Sequence, residues 1–424
     1  MATKDFFKRI ARSIGPGFIT GAADDDPSGI ATYSQTGALF GFSQLWVTLF
    51  SYPFMTAIQE MCGRIGMVTG KGLAAIIKEN YSKKVLGIAV LLLVIANIIN
   101  IGADLGAMAA SIRLVVPVSF VVLLIGVTLF TLLVEIYVPY PTYARFLKYL
   151  TFSLLAYIAT AILIHPDWGL IGRSFVTPHI ELSKAYLLNI AAFLGTTISP
   201  YLFFWQADEE VEEEIERGQI KDMGVGTPKL RHNDLSQMRT DTALGMLFSQ
   251  VITFFIIVTV ASTLGSHGIT TINTAADAAN ALRPFAGDFA FILFALGIVG
   301  TGLLAVPVLA GSAAYAVAES FNWRVGLGKK FNKAPGFYGI IAVATIVGLV
   351  VNFSSIGPMT MLYYAAMLNG VLAPPLMILI LLIANNKKIV GIHTNSKLSN
   401  TLGIIITVIM GVIALGLLYT VLKP

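Results

Sequence analysis

The sequence predicts an all-α membrane protein of eleven transmembrane helices, with helices 1–5 and 6–10 as two inverted five-helix repeats and helix 11 standing alone. Three observations predict it. Apolar runs of about 20 residues, the length a helix needs to cross a bilayer, recur along the whole chain. Lys and Arg collect in alternate connections, as the orientation of membrane helices requires. Two spans that are five apart, the first and the sixth, are interrupted by polar and Pro-containing segments. Composition agrees: 56% of the residues are hydrophobic and 12% charged, against roughly 25% charged in a soluble domain. Cys62 is the only cysteine, which excludes an internal disulfide and a cysteine-rich metal site. The net charge of +5 follows membrane topology, and no nucleic-acid partner is expected.

The elements follow in order. The basic segment Met1 to Arg12 leads into span 1, residues 14–42. That span holds three aspartates and lacks a small-residue cleavage site, so it reads as a retained helix and not as a signal peptide. Span 2 covers 44–68, and Arg64, Lys71, Lys78, Lys83 and Lys84 lie at its end and beyond. Spans 3 and 4, 85–111 and 115–134, flank Arg113. Span 5, 143–164, opens on Arg145 and Lys148. Span 6, 184–207, is followed by the longest polar connection, Asp208 to Arg239. Spans 7 and 8, 239–264 and 288–318, enclose Arg283. Lys329, Lys330 and Lys333 precede span 9, 336–352. Span 10 covers 357–384, and Lys387, Lys388 and Lys397 separate it from span 11, 400–421. With the N-terminus inside, only Arg113, Arg173, Lys184, Arg283 and Lys423 of the 28 basic residues fall outside. The C-terminus is then outside. The expectation is one transmembrane domain over 1–421, with repeats at about 14–164 and 184–384. It would lie in a plasma membrane of the bacterial inner-membrane kind, with lipid as its surroundings and a monomer as the simplest state.

The interruptions carry the functional signal. The first is Asp24-Asp25-Asp26-Pro27-Ser28-Gly29; the second is Thr196-Thr197-Ile198-Ser199-Pro200-Tyr201. Pro removes a backbone donor and Gly permits unwinding. Freed carbonyls can then ligate a cation in a water-lined cavity at membrane depth. Paired breaks in inverted repeats are the best sequence pointer to a midplane transport site, and carboxylates inside a span are costly and usually functional. The alternative for Asp26-Pro27 is an ordinary helix start at the membrane surface, with Asp as N-cap.

These residues resemble a known family. Gly15-Pro16-Gly17-Phe18 with Asp26-Pro27-Ser28-Gly29 resembles the first helix of the Nramp divalent-metal transporters, whose usual motif is Asp-Pro-Gly-Asn. Gln59 and the segment Arg64 to Lys71 resemble the end of the family's second helix, and Gly195 to Tyr201 resembles its sixth. The resemblance covers spans 1 to 10 and implies a leucine-transporter-like fold. It also implies that Asp26 is the anchoring metal ligand and that Thr196 supplies a carbonyl. Gly29 stands where Asn is usual, and Ser199 where a Met thioether is usual. Softer metals favour thioethers, whereas magnesium, calcium and manganese suit oxygen and water. Mg²⁺ also keeps several waters when bound. The pattern is similar to the Nramp-related magnesium transporters. Tyr201 and Gln206 occupy the positions of the family's two sixth-helix histidines. Asp104 matches an acid of the third helix, and Ile101 stands where a second acid is usual. All five histidines fall in expected loops, so no buried proton relay is visible.

Further candidates surround this core. Asp24 and Asp25 are expected to hold the ion's water shell or line its approach, the alternative being a wet vestibule. Asp104, among small residues, is expected to face the cavity; the alternative is a hydrogen bond to Asn97 or Asn100. Thr197, Tyr201 and Gln206 are read as water-binding groups along the sixth helix, with interfacial packing the alternative for Tyr201; Asn369, in a bend of span 10 that corresponds loosely to the family's tenth helix, is read as a flanking group. Structural pairing with Arg64, Arg145 or Arg324 is expected for Glu60, Glu135 and Glu319, and a solvated face for the acidic run Asp208 to Glu216, the alternative being a role in drawing cations or closing an inner gate.

No His-Glu-x-x-His or Gly-x-Ser-x-Gly sequence supports an enzyme, and no resident cofactor is expected; the metal is cargo. Three transporters are compatible with the fold. The first carries Mg²⁺ (and Mn²⁺) without protons; the second is a proton-coupled Mn²⁺ or Fe²⁺ importer; the third carries amino acids or other organic solutes. Three aspartates at the first break oppose the third. Gly29, Ser199, Tyr201 and Gln206 favour the first.

Overall fold

The computed structural model describes residues 15–138 and 151–422, and every regular element among them is helical. Span 1 is two helices, α1 (Pro16–Asp24) and α2 (Pro27–Phe40), separated by Asp25 and Asp26. After it come α3 (Trp46–Thr69), the short α4 (Leu73–Asn80), α5 (Lys83–Arg113), α6 (Phe120–Tyr137) and α7 (Leu155–Leu163). Span 6 is again two helices, α8 (Lys184–Thr197) and α9 (Pro200–Glu216), broken at Ile198 and Ser199. The chain continues through α10 (Asp234–Thr263), α11 (Ala290–Ser320), α12 (Pro335–Val351), α13 (Pro358–Ala384) and α14 (Lys397–Leu422). Each expected span coincides with helix. For the fifth this holds of its described part, from residue 151 on; Arg145 and Lys148 lie outside the described residues, as does the basic segment before Gly15. Among the described residues, seven helical stretches are long and apolar enough to cross a bilayer unaided.

Two glycine seams set the frame around the breaks. A Cβ on Gly21 of α1 would stand 2.2 Å from the carbonyl carbon of Gly245 on α10, and one on Gly245 would stand 2.4 Å from the oxygen of Gly17. On the other side, a Cβ on Gly195 of α8 would meet the Ala366 oxygen of α13 at 2.0 Å, and one on Gly370 would meet the Ala191 oxygen at 2.5 Å. Lipid provides no hydrophobic drive between helices, so close backbone approach at small residues supplies packing instead. Large apolar side chains such as Ile88, Leu91, Val122, Leu129, Val412 and Leu415 are exposed on α5, α6 and α14. A surface of that kind matches hydrocarbon and would be a liability in water.

Two expectations for the acidic residues are corrected. The run Asp208 to Glu216 does extend the sixth span, but not as a solvated face. Asp208, Glu210 and Glu214 are buried, because α9 packs between α3 and α11 instead of standing free in solvent. Glu319 does not pair with Arg324. Its carboxylate accepts the backbone N–H groups of Gly72 (3.1 Å) and Ala75 (2.9 Å) at the start of α4. There it satisfies donors that every helix N-terminus leaves open. Glu60 does pair with Arg64 at 2.9 Å, and Arg239 joins it at 2.9 Å.

Candidate metal site

The first break is built by Asp26. Its backbone is extended, and its side chain caps α2 by accepting from the Gly29 N–H at 2.7 Å. The same oxygen accepts the Ser28 hydroxyl at 2.7 Å. Asp therefore acts as N-cap with Pro27 at the first helical position. This cap lies inside the bundle and not at a surface, since Asp26 is only 2% exposed. Tyr201 lies beside this carboxylate and donates its hydroxyl to the Ala23 carbonyl at 3.1 Å.

The second break is built differently. The Ser199 hydroxyl turns back and donates to the carbonyls of Gly195 (2.9 Å) and Thr196 (2.8 Å). It therefore gives no side-chain cap to α9. The Thr196 carbonyl is engaged by that hydroxyl, while its own hydroxyl meets Ser28 at 3.1 Å. Thr197 donates to the Phe193 carbonyl at 2.8 Å and meets the Tyr33 hydroxyl at 3.1 Å. The pairs Ser28–Thr196 and Tyr33–Thr197 tie α2 to α8 and hold the two breaks opposite each other. The C-terminal ends of α1 and α8, which carry partial negative charge, thus share one region with Asp26.

Gly29 faces the same gap. A Cβ there would stand 3.2 Å from the Tyr33 ring, 3.3 Å from the Asp24 carbonyl oxygen and 3.5 Å from the Thr196 hydroxyl. The space opened by the missing side chain is narrow in this conformation.

Asp24 and Asp25 point elsewhere. Both accept from Ser249 of α10, at 2.7 and 3.2 Å respectively, and each keeps one buried oxygen without a partner among the described residues. The three aspartates are therefore divided: two on Ser249 and one on the α2 cap. Asp104 on α5 is fully buried, with both oxygens unpartnered among the described residues, within electrostatic reach of Asp26. Neither asparagine named for it serves as its partner. Asn97 is held by the Leu309 carbonyl and Ser312, and Asn100 by Asn369 at 2.9 Å. Asn369 is buried beside Gly370, with its amide committed to that pair. Gln206 donates to Glu210 at 2.8 Å. All five histidines lie outside the long helices, His267 in a short 3-10 turn.

The structure thus brings Asp26, Gly29, Thr196, Ser199 and Tyr201 together, with Asp104 nearby. Asp24 and Asp25 sit one step away on Ser249, Thr197 faces Tyr33, and Asn369 sits on Asn100. Sequence reasoning missed Ser28, Tyr33 and Ser249. The sequence carries no signal for Ser249: only the approach of Gly21 to Gly245 in the fold sets it opposite Asp25, one turn beyond each.

Comparisons with known proteins bear on the family and the fold. A family model described as natural resistance-associated macrophage protein-like (Nramp) matches residues 17–420. A manganese transporter of Eremococcus coleocola, solved with an aromatic bis-isothiourea substituted compound, superposes with a TM-score of 0.74 at 15% identity. The match covers 97% of this chain and 86% of that one. A mutant of the same transporter gives a TM-score of 0.75 at the same identity and coverage. A nucleobase-cation-symport-1 family transporter in a closed conformation with bromovinylhydantoin bound gives 0.55 at 12% identity, covering 95% of this chain and 91% of that one.

Proposed function

The chain belongs to the Nramp family, and on that premise we propose that it imports divalent cations by alternating access, with Mg²⁺ as main cargo and Mn²⁺ as a second. The observation that carries the reading is the make-up of the Asp26 site. It holds one anchoring carboxylate, hydroxyls from Ser28, Thr196, Ser199 and Tyr201, and main-chain carbonyls. Oxygen donors of this kind suit Mg²⁺ and Mn²⁺ and hold no thioether for a softer metal. Asp26 binds the ion through its free oxygen. The hydroxyls of Thr196, Ser199 and Tyr201 hold its retained waters, and Asp104, Asp24 and Asp25 supply further negative charge. Thr197 steadies the second break through Tyr33, and Asn369 steadies α13 against α5.

Uptake is electrogenic and runs without protons. His165, His179, His232, His267 and His393 lie away from the breaks, and Tyr201 and Gln206 stand where a relay would need imidazoles. A dication gains about 4–5 kcal/mol per 100 mV of membrane potential, twice the single-charge value. That is roughly a thousandfold in concentration ratio, enough to drive uptake. The protein sits in a plasma membrane of the bacterial inner-membrane kind, N-terminus inside and C-terminus outside, working as a monomer.

The test is reconstitution into liposomes with lumenal Mg²⁺ and pH reporters. Mg²⁺ influx without lumenal acidification is expected. Acidification that tracks influx would refute the uncoupled mechanism, and Mn²⁺ influx without Mg²⁺ influx would refute the cargo.

A further inference from the structure

A second pair of buried carboxylates lies midway along α9, about two turns beyond the second break. Asp208 on α9 and Glu319 on α11 converge on Gly72, the residue that precedes α4. A Cβ on Gly72 would stand 1.9 Å from one Asp208 oxygen and 2.3 and 2.7 Å from the two Glu319 oxygens. Gly72 has an ordinary backbone, with φ of −71°, so no conformational demand calls for glycine there. What the missing Cβ leaves is room between two acids. Asp208 is fully buried, and both its oxygens are without a partner among the described residues.

Among the described residues, the basic side chains of this region are otherwise engaged. Lys78 on α4 donates to the carbonyls of Glu319 (3.3 Å) and Ser320 (2.6 Å). Lys71 pairs with Glu79 at 2.7 Å. Glu319 meanwhile accepts two backbone N–H groups at the α4 N-terminus, an arrangement that favours its ionised form. Two buried acids this close, one bonded to backbone N–H groups and the other bare, leave a place for a positive partner.

We infer that Asp208 and Glu319 form a second divalent-cation site, a station on the release path between the Asp26 site and the cytoplasmic face. The inference rests on the cation-transport reading above. Asp208 lies eight residues beyond Pro200 on one continuous helix, about 12 Å along its axis at 1.5 Å per residue. An ion leaving the breaks along α9 meets this pair next. One carboxylate oxygen from each acid, the Gly72 backbone and retained water make an oxygen set of the kind Mg²⁺ accepts. A station binds only as tightly as onward release allows, so it accelerates exit and does not set the affinity of loading.

The probe is Mn²⁺ alone, titrated into the purified full-length protein, with bound ions counted by electron paramagnetic resonance. The wild type is expected to bind two ions, Asp208→Asn one, Asp26→Ala one, and the double variant none. Gly72→Ala, which keeps both acids and fills the room between them, is expected to lose the same ion as Asp208→Asn. An unchanged count in folded Asp208→Asn and Gly72→Ala would overturn the station, as it also would if the pair merely shared a proton. Two ions retained in Asp26→Ala, with one lost in Asp208→Asn, would instead refute the Asp26 site and leave the station standing.

Discussion

Asp26→Asn separates the capping role of one carboxylate from the anchoring role proposed for it. Asp26 caps α2 through one oxygen, bonded at 2.7 Å to the Gly29 N–H and at 2.7 Å to the Ser28 hydroxyl. Asn is as good an N-cap as Asp, so the amide oxygen preserves the start of α2. What is lost is the charge facing the ion. A pair of unit charges 4 Å apart contributes about 4 kcal/mol at an effective dielectric of 20, and a dication doubles the charge. The cost of dehydrating ion and carboxylate offsets much of this, leaving about 3 kcal/mol. That is roughly a hundredfold in affinity. Mg²⁺ uptake by proteoliposomes, measured against concentration, should show half-saturation rising by about that factor, while thermal unfolding in detergent stays close to wild type. Wild-type half-saturation in Asp26→Asn would refute the assignment of Asp26 as anchor. A large fall in unfolding temperature would show that the cap, and not the charge, had been removed.

Three other outcomes follow from contacts already described. Gly29→Asn brings an amide into the gap beside the Asp24 carbonyl and Thr196. It should shift the ratio of Mn²⁺ to Mg²⁺ uptake toward Mn²⁺ by roughly tenfold, a change of about 1.4 kcal/mol, in competition assays. Gly245→Leu forces a side chain into the backbone of α1, 2.4 Å from the Gly17 oxygen at its first atom; overpacking of about 1–3 kcal/mol or more should lower the unfolding temperature and abolish uptake. Arg64→Met leaves Glu60 without its partner at 2.9 Å and frees the His393 carbonyl and Asn395. Breaking one side of a buried pair costs about 3–5 kcal/mol, which thermal unfolding would register; Arg239, also on Glu60, should soften it.

The spans were legible because bilayer thickness imposes a length and an apolarity on each, independent of what packs beside it. The breaks were legible because Pro, Gly and carboxylates violate that rule at two places five spans apart. Partners across the bundle were not. Ser249 is one hydroxyl in an apolar helix, 225 residues from Asp24, and only the Gly21–Gly245 contact aligns the two. The acidic run on α9 misled for a related reason. Charge density in a sequence usually marks a solvated face, yet α3 and α11 close over Asp208, Glu210 and Glu214. Glu319 was read by its neighbour in sequence, Arg324, when its partners are the N–H groups of α4, about 245 residues earlier. Asn369 was placed beside the site by a loose correspondence with the tenth helix; in the fold its amide is held by Asn100.

The central claim, uncoupled movement of a dication through the Asp26 site, is tested most directly by the reversal potential of the current carried by the reconstituted protein. With Mg²⁺ gradients imposed across the membrane, the account predicts a shift of about 30 mV for each tenfold change in Mg²⁺, as two transferred charges require. It also predicts no displacement when a one-unit pH gradient is added. A reversal potential that moves with the pH gradient, or a Mg²⁺ slope that departs from the two-charge value, would contradict it.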